Sequence, residues 1–206
     1  MTAPLATTLA IAAATVGALH TLAPDHWVPV AAVSRARGWS LARTARIALV
    51  CGFGHVTVSA ALGLLALVSG TAVVEALGAR AGAVGGVLLI GFGAAYALWG
   101  LRRLARHHHH HVGDTTTTWT LFVIYCADPC VAVIPIIFAA APLSRLATLA
   151  IIMIYEAATI ATMVGFTLAA RAGISVLRGR WLDRYGDSAA GGLIVATGLI
   201  VALAGW

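Results

Sequence analysis

The 206-residue chain is 61% hydrophobic and only 10% charged, with a mean hydropathy of +0.95. Soluble domains carry roughly 25% charged residues, so a water-soluble globule of this size is excluded. The net charge of +6 comes from thirteen arginines and no lysine, all outside the long apolar runs, which excludes a nucleic-acid footprint in favour of the positive-inside pattern of membrane proteins.

Several apolar runs reach the ~20 residues that a helix needs to cross the hydrocarbon core, and the short alternating segments of a membrane β-barrel are absent. The expected fold is all-α: one polytopic transmembrane domain over residues 1–206 with six helices. The first covers about 4–33 and carries Pro24 inside it. Its start, Met1 to Leu22, could pass for a signal peptide but lacks a basic leading region, and it is read as a mature first helix. The second covers about 41–69. The third covers about 81–101, after a short amphipathic stretch at 73–80. The fourth covers about 119–141 and contains Pro129. The fifth covers about 143–170 and the sixth 189–206. Between the last two, residues 175–187 read as an interfacial helix with a Trp181 anchor. No strong internal repeat is visible. The 22 glycines suit close helix contact in lipid.

The arginines set the expected topology. Arg35, Arg37, Arg43 and Arg46 follow the first helix. Arg102, Arg103 and Arg106 follow the third. Arg171, Arg178, Arg180 and Arg184 follow the fifth. Only Arg80 and Arg145 fall in the other connections. The Arg-rich side is therefore expected to be cytoplasmic, with both termini outside a cell membrane.

Ionisable residues inside such helices are costly, which makes each a functional candidate. The first helix carries His20, Asp25 and His26 in the run His20-Thr-Leu-Ala-Pro-Asp25-His26. The second carries His55 in Gly52-Phe-Gly-His55. The fourth carries Asp128 in Cys126-Ala-Asp128-Pro-Cys130, and the fifth carries Glu156. No arginine lies at mid-helix to balance the acids, so a cation is the missing counter-charge. Imidazole suits nickel, cobalt, zinc and copper, whereas all-oxygen sites suit magnesium or calcium. On a straight helix His20 and His26 face different ways, since neighbours on one face are three or four apart. A break at Pro24, which has no N–H for the carbonyl of His20, would bring both round one ion. Pro129 similarly frees the carbonyl of Tyr125.

The bland alternatives differ by residue. A histidine such as His55 can simply hydrogen-bond across packed helices. Asp128 reads equally as ligand or helix cap, and Glu156 as proton relay, metal ligand or hydrogen-bond partner. Cys126 and Cys130 need no role beyond small buried side chains, although Cys130 is also a candidate ligand. His107, His108, His109, His110 and His111 form an unbroken tract in the expected cytoplasmic loop at about 102–118, which reads as auxiliary metal capture.

The run from His20 to His26 resembles the His-x4-Asp-His signature helix of the nickel/cobalt transporter superfamily, which includes NiCoT permeases and NicO and UreH-like proteins. Gly52-Phe-Gly-His55-Val-Thr-Val is similar to that family's Gly-His-Ser-Thr-Val segment. Asp128-Pro-Cys130 is similar to a Pro-Cys element of NicO-type members, where a His-rich loop also occurs. The detailed likeness covers Leu19 to Ser59. Here Thr57 follows Val56 where the family more often has Ser then Thr, and the chain looks closer to six-span than to eight-span members.

The resemblance implies a secondary transporter of Ni2+ or Co2+, with the ion as cargo, His20, Asp25, His26 and His55 as its site, and no organic cofactor or enzymatic activity. The expected partners are the lipid bilayer and the metal ion; nucleic acid is not expected, and association into a homo-oligomer is left open. Two alternatives remain. One is a CcdA-like thiol-redox protein, suggested by Pro129-Cys130 and Pro135. The other is a membrane metal sensor or accessory protein that binds without flux.

Overall fold

The computed structural model describes residues 2–69, 86–102, 114–130, 132–176 and 180–204. Every element among the described residues is helical, with no strands: α1 (Thr2–His20), a 3-10 turn (Pro24–His26), α2 (Val28–Ala36), α3 (Leu41–Ser69), α4 (Gly86–Arg102), α5 (Asp114–Ala127), α6 (Val133–Ala140), α7 (Arg145–Val176) and α8 (Arg180–Ala204). Two stretches, Leu41–Val68 in α3 and Arg145–Gly173 in α7, are long and apolar enough to cross a membrane. Large hydrophobic side chains cover outward faces of the bundle: Ile11, Phe53, Val87, Met153 and Leu146 are all more than 60% exposed.

The chain is interrupted where proline removes a donor. At Pro24 the carbonyl of His20 instead accepts the N–H of Ala23 at 3.1 Å. The chain then makes one tight turn before Pro29, in the first turn of α2, restarts the helix. At Pro129 the helix stops at Ala127 and resumes at Val133. At the end of α2, Gly38 takes φ +64°, which only glycine adopts at no cost. Its N–H reaches Arg35 O at 3.2 Å while Trp39 N–H reaches Ser34 O at 2.9 Å, the Schellman arrangement. Ser40 and Ser144 then cap α3 and α7, their hydroxyls accepting the N–H groups of Arg43 and Ala147.

The expected boundaries shift in places. The described residues of the expected interfacial helix at 175–187 are shared between two longer helices: Ser175 and Val176 end α7 and Arg180 onward belongs to α8, while 177–179 lie outside the described residues. The amphipathic stretch 73–80 lies outside the described residues.

The packing repeats although the sequence shows no repeat. α1 lies parallel to α7, with Gly17 against Tyr155 and Thr159. In the same way α5 and α6 lie parallel to α3, with Gly54 against Phe122 and Cys126, and Gly63 against Ile134 and Ile137. α3 and α7 cross antiparallel at the centre, Gly52 meeting Ile160 and Met163. α4 and α8 pair antiparallel through glycine: Gly86 meets Gly198 and Ala202, Gly93 meets Gly191 and Val195, and Gly100 meets Ser188. A broken helix, a long helix and a glycine-faced helix thus occur twice in the same order.

At the end of the bundle that holds the α2–α3 turn, Arg37 ties several helices together. Its Nε donates to Tyr96 OH at 3.0 Å and its Nη2 to Thr117 Oγ1 at 3.0 Å. Tyr96 OH donates onward to Asp187 Oδ1 at 3.0 Å. The guanidinium also lies 4.9 Å from the centre of the Trp99 ring.

Candidate metal centre

Three histidines meet at the break after α1. His20 is the last residue of α1, His26 ends the 3-10 turn, and His55 lies midway along α3. Their candidate ligand atoms all fall within 4.8 Å of one another. The His26 ring stands edge-on between the other two, 4.6 Å from His20 and 5.0 Å from His55, while His20 and His55 are nearly parallel. The turn at Pro24 is what folds His26 back over the end of α1; on a continuous helix these two rings would diverge.

Each ring is held from behind. His20 Nδ1 lies 3.1 Å from Gly17 O. His26 Nδ1 lies 2.9 Å from Asp25 Oδ1. His55 Nδ1 lies 3.3 Å from Tyr125 O, the carbonyl that Pro129 leaves without its helical N–H. All three of these partners are acceptors, which assigns the proton of each neutral ring to Nδ1 and leaves the lone pair on Nε2. All three Nε2 atoms are buried and have no hydrogen-bond partner. A buried polar atom without a partner is expensive. Three clustered imidazoles, each with an unpartnered nitrogen, are the donor set a borderline transition metal takes, with the second nitrogen of each ring held by a carbonyl or carboxylate.

A second layer holds the braces. Tyr125 OH donates to His26 O at 2.9 Å. Tyr155 stacks on His20 with ring centres 5.8 Å apart, and its hydroxyl lies 3.3 Å from His20 Nδ1 and 2.8 Å from Cys130 Sγ. Ser59 Oγ donates to His55 O and accepts the Cys130 N–H, both at 2.7 Å. Gly17 O also takes the hydroxyls of Thr21 and Thr159. A cavity of about 10 Å3, room for about one water, lies against His26, His55, Tyr125, Asp25 and Asp128.

The sequence candidates therefore separate. His20, His26 and His55 come together. Asp25 stands behind His26 and orients it. Asp128 lines the adjoining cavity. Cys130 touches Tyr155 and is one residue removed from the histidines. Glu156 is half-buried on α7 and is not among the converging groups. His107 to His111 lie outside the described residues. Tyr125, Tyr155, Ser59 and Thr159 were not among the sequence candidates; only Tyr125 carried a signal, through the proline four residues later.

Ser59→Ala is expected to lower stability by about 1–3 kcal/mol, because it leaves the buried Cys130 N–H without an acceptor. Thermal unfolding with and without Ni2+ checks this. An unchanged melting temperature would mean that the α5–α6 break does not depend on α3.

No protein-family model, curated protein or solved structure matches the chain.

Proposed function

We propose that the chain crosses a cell membrane six times and carries a divalent transition-metal ion, Ni2+ or Co2+, from one side to the other. The observation that carries this reading is the set of three buried, unpartnered Nε2 atoms on histidines whose candidate ligand atoms lie within 4.8 Å of one another. In hydrocarbon such groups are retained for a purpose, and three neutral imidazoles match nickel or cobalt better than magnesium or calcium.

In this reading His20, His26 and His55 hold the ion, Asp25 orients His26, and Asp25 and Asp128 offset its charge from the adjoining cavity. The interrupted first and fourth membrane segments place irregular backbone beside a cavity, where it is tolerated at membrane depth. The Arg-rich connections face the cytoplasm and both termini lie outside. His107 to His111 serve as a cytoplasmic capture loop, and the carrier is driven by no chemistry of its own.

The test is metal uptake into sealed proteoliposomes with Ni2+ and Co2+, comparing the parent chain with His20→Ala and Asp25→Ala. Saturable flux lost in His20→Ala and weakened in Asp25→Ala is the expected result. Binding without flux would replace the carrier by a sensor or accessory protein, and absence of both would remove the metal.

The cysteines give a further check. All three are free, and Cys130 is engaged by Tyr155. Replacing Cys51, Cys126 and Cys130 together by serine is expected to leave flux within about threefold of the parent, since no thiol belongs to the histidine set and serine keeps a hydroxyl for Tyr155. Abolished flux would favour thiol chemistry.

A further inference from the structure

In two arginines at the end of the bundle that holds the α2–α3 turn the Nε–H lacks an acceptor. Nε of Arg35, near the end of α2, and Nε of Arg171, in the last turns of α7, are both enclosed without a hydrogen-bond partner. Nη2 of Arg171 donates to Trp39 O at 3.1 Å, which fixes that group against the turn made by Gly38. The two positive charges act on each other. Arg43, stacked on the Trp39 ring at 4.8 Å, adds a third positive charge to the same turn.

Four carboxylates with described side chains are placed elsewhere. Asp25 holds His26, Asp128 faces the histidine cavity, and Asp187 accepts from Tyr96. Glu156 lies fifteen residues before Arg171 on α7, about four turns away. The negative end of the α2 dipole favours a cation at Arg35 but supplies no acceptor for either Nε. Both arginines are half-buried as residues. A planar fork of donors suits a tetrahedral oxyanion.

We propose that Arg35 and Arg171 form a binding site for a phosphate group at the Arg-rich end of the bundle, between the α2–α3 turn and α7. The phosphate belongs either to a membrane-lipid headgroup, which such a face meets in a bilayer, or to a soluble anion. The site is separate from the histidines, and its test needs no metal.

The experiment uses the purified full-length chain in a neutral detergent. Thermal unfolding is followed while inorganic phosphate, dioctanoyl phosphatidic acid or, at matched ionic strength, sodium chloride is added. Saturable stabilisation by a phosphate probe, with none from chloride, is expected. Arg35→Gln and Arg171→Gln should each raise the half-saturating concentration at least tenfold, while Arg46→Gln, at an exposed arginine, leaves it unchanged. Stabilisation by inorganic phosphate would identify a soluble anion; stabilisation by phosphatidic acid alone would identify a lipid headgroup. Equal stabilisation by chloride, or an equal shift in Arg46→Gln, would overturn the proposal. The comparison of phosphate with chloride on the unaltered chain decides the matter even where a variant fails to fold.

Discussion

Replacing His26 by alanine is expected to weaken Ni2+ binding by about 100-fold or more and to abolish saturable uptake. The ring stands edge-on between His20 and His55, so its loss removes one of three donors and opens the space between the other two. A hundredfold loss corresponds to about 2.7 kcal/mol. Asp25→Asn should be milder, on the order of tenfold, because an amide oxygen still accepts the Nδ1 proton while the negative charge is lost; orienting partners of metal-bound histidines typically account for 10–100-fold in affinity. Calorimetric titration of the purified variants separates the two. Parent-like affinity in His26→Ala would mean that the three histidines only pack against one another.

The second large effect is expected at the contact of α4 with α8. A Cβ at Gly93 would lie 2.7 Å from both Gly191 O and Val195 N, and both are backbone atoms that cannot swing aside. Gly93→Val should therefore prevent a monodisperse fold, and Gly93→Ala should cost about 1–3 kcal/mol or more, as overpacking does. Gly91→Ala, two residues away, is the control: a Cβ there meets nothing within 4 Å, and alanine is better than glycine in a helix by roughly 0.5–1 kcal/mol. Thermal unfolding of the three variants reads the difference directly. Equal behaviour of Gly91→Ala and Gly93→Ala would show that α4 and α8 do not meet where the structure places them.

Much of this architecture was legible in the amino-acid order. Helical class followed from long apolar runs, and the interruptions followed from prolines that cannot donate. His20 and His26 could be brought together on paper because Pro24 lies between them. What could not be read were the relations across distant helices. Nothing local says that Tyr155 stacks on His20, or that Ser59 ties His55 to Cys130, because neither tyrosine nor serine is unusual in an apolar helix. The sequence reading counted Asp25 among the metal ligands through its ionisable run and the resemblance; in the structure its carboxylate meets His26 Nδ1 and borders the histidine cavity. It gave Glu156 the same weight as Asp128, although only Asp128 borders the histidine cavity. The recurrence of broken, long and glycine-faced helices also escaped the sequence, since it is preserved in packing and not in residue identity.

That recurrence divides labour unevenly. All three histidines belong to the first half of the chain, while Tyr125 and Tyr155, which brace His55 and His20 from behind, belong to the second. If one half tilts against the other, the donors stay together but the supports from Tyr125 and Tyr155 withdraw. His55 would lose the carbonyl that fixes its proton, and His20 the ring that keeps it flat. The grip on an ion would then slacken with little separation of the ligands, so that a small angular movement could act as a dimmer on affinity, set from outside the ligand cluster.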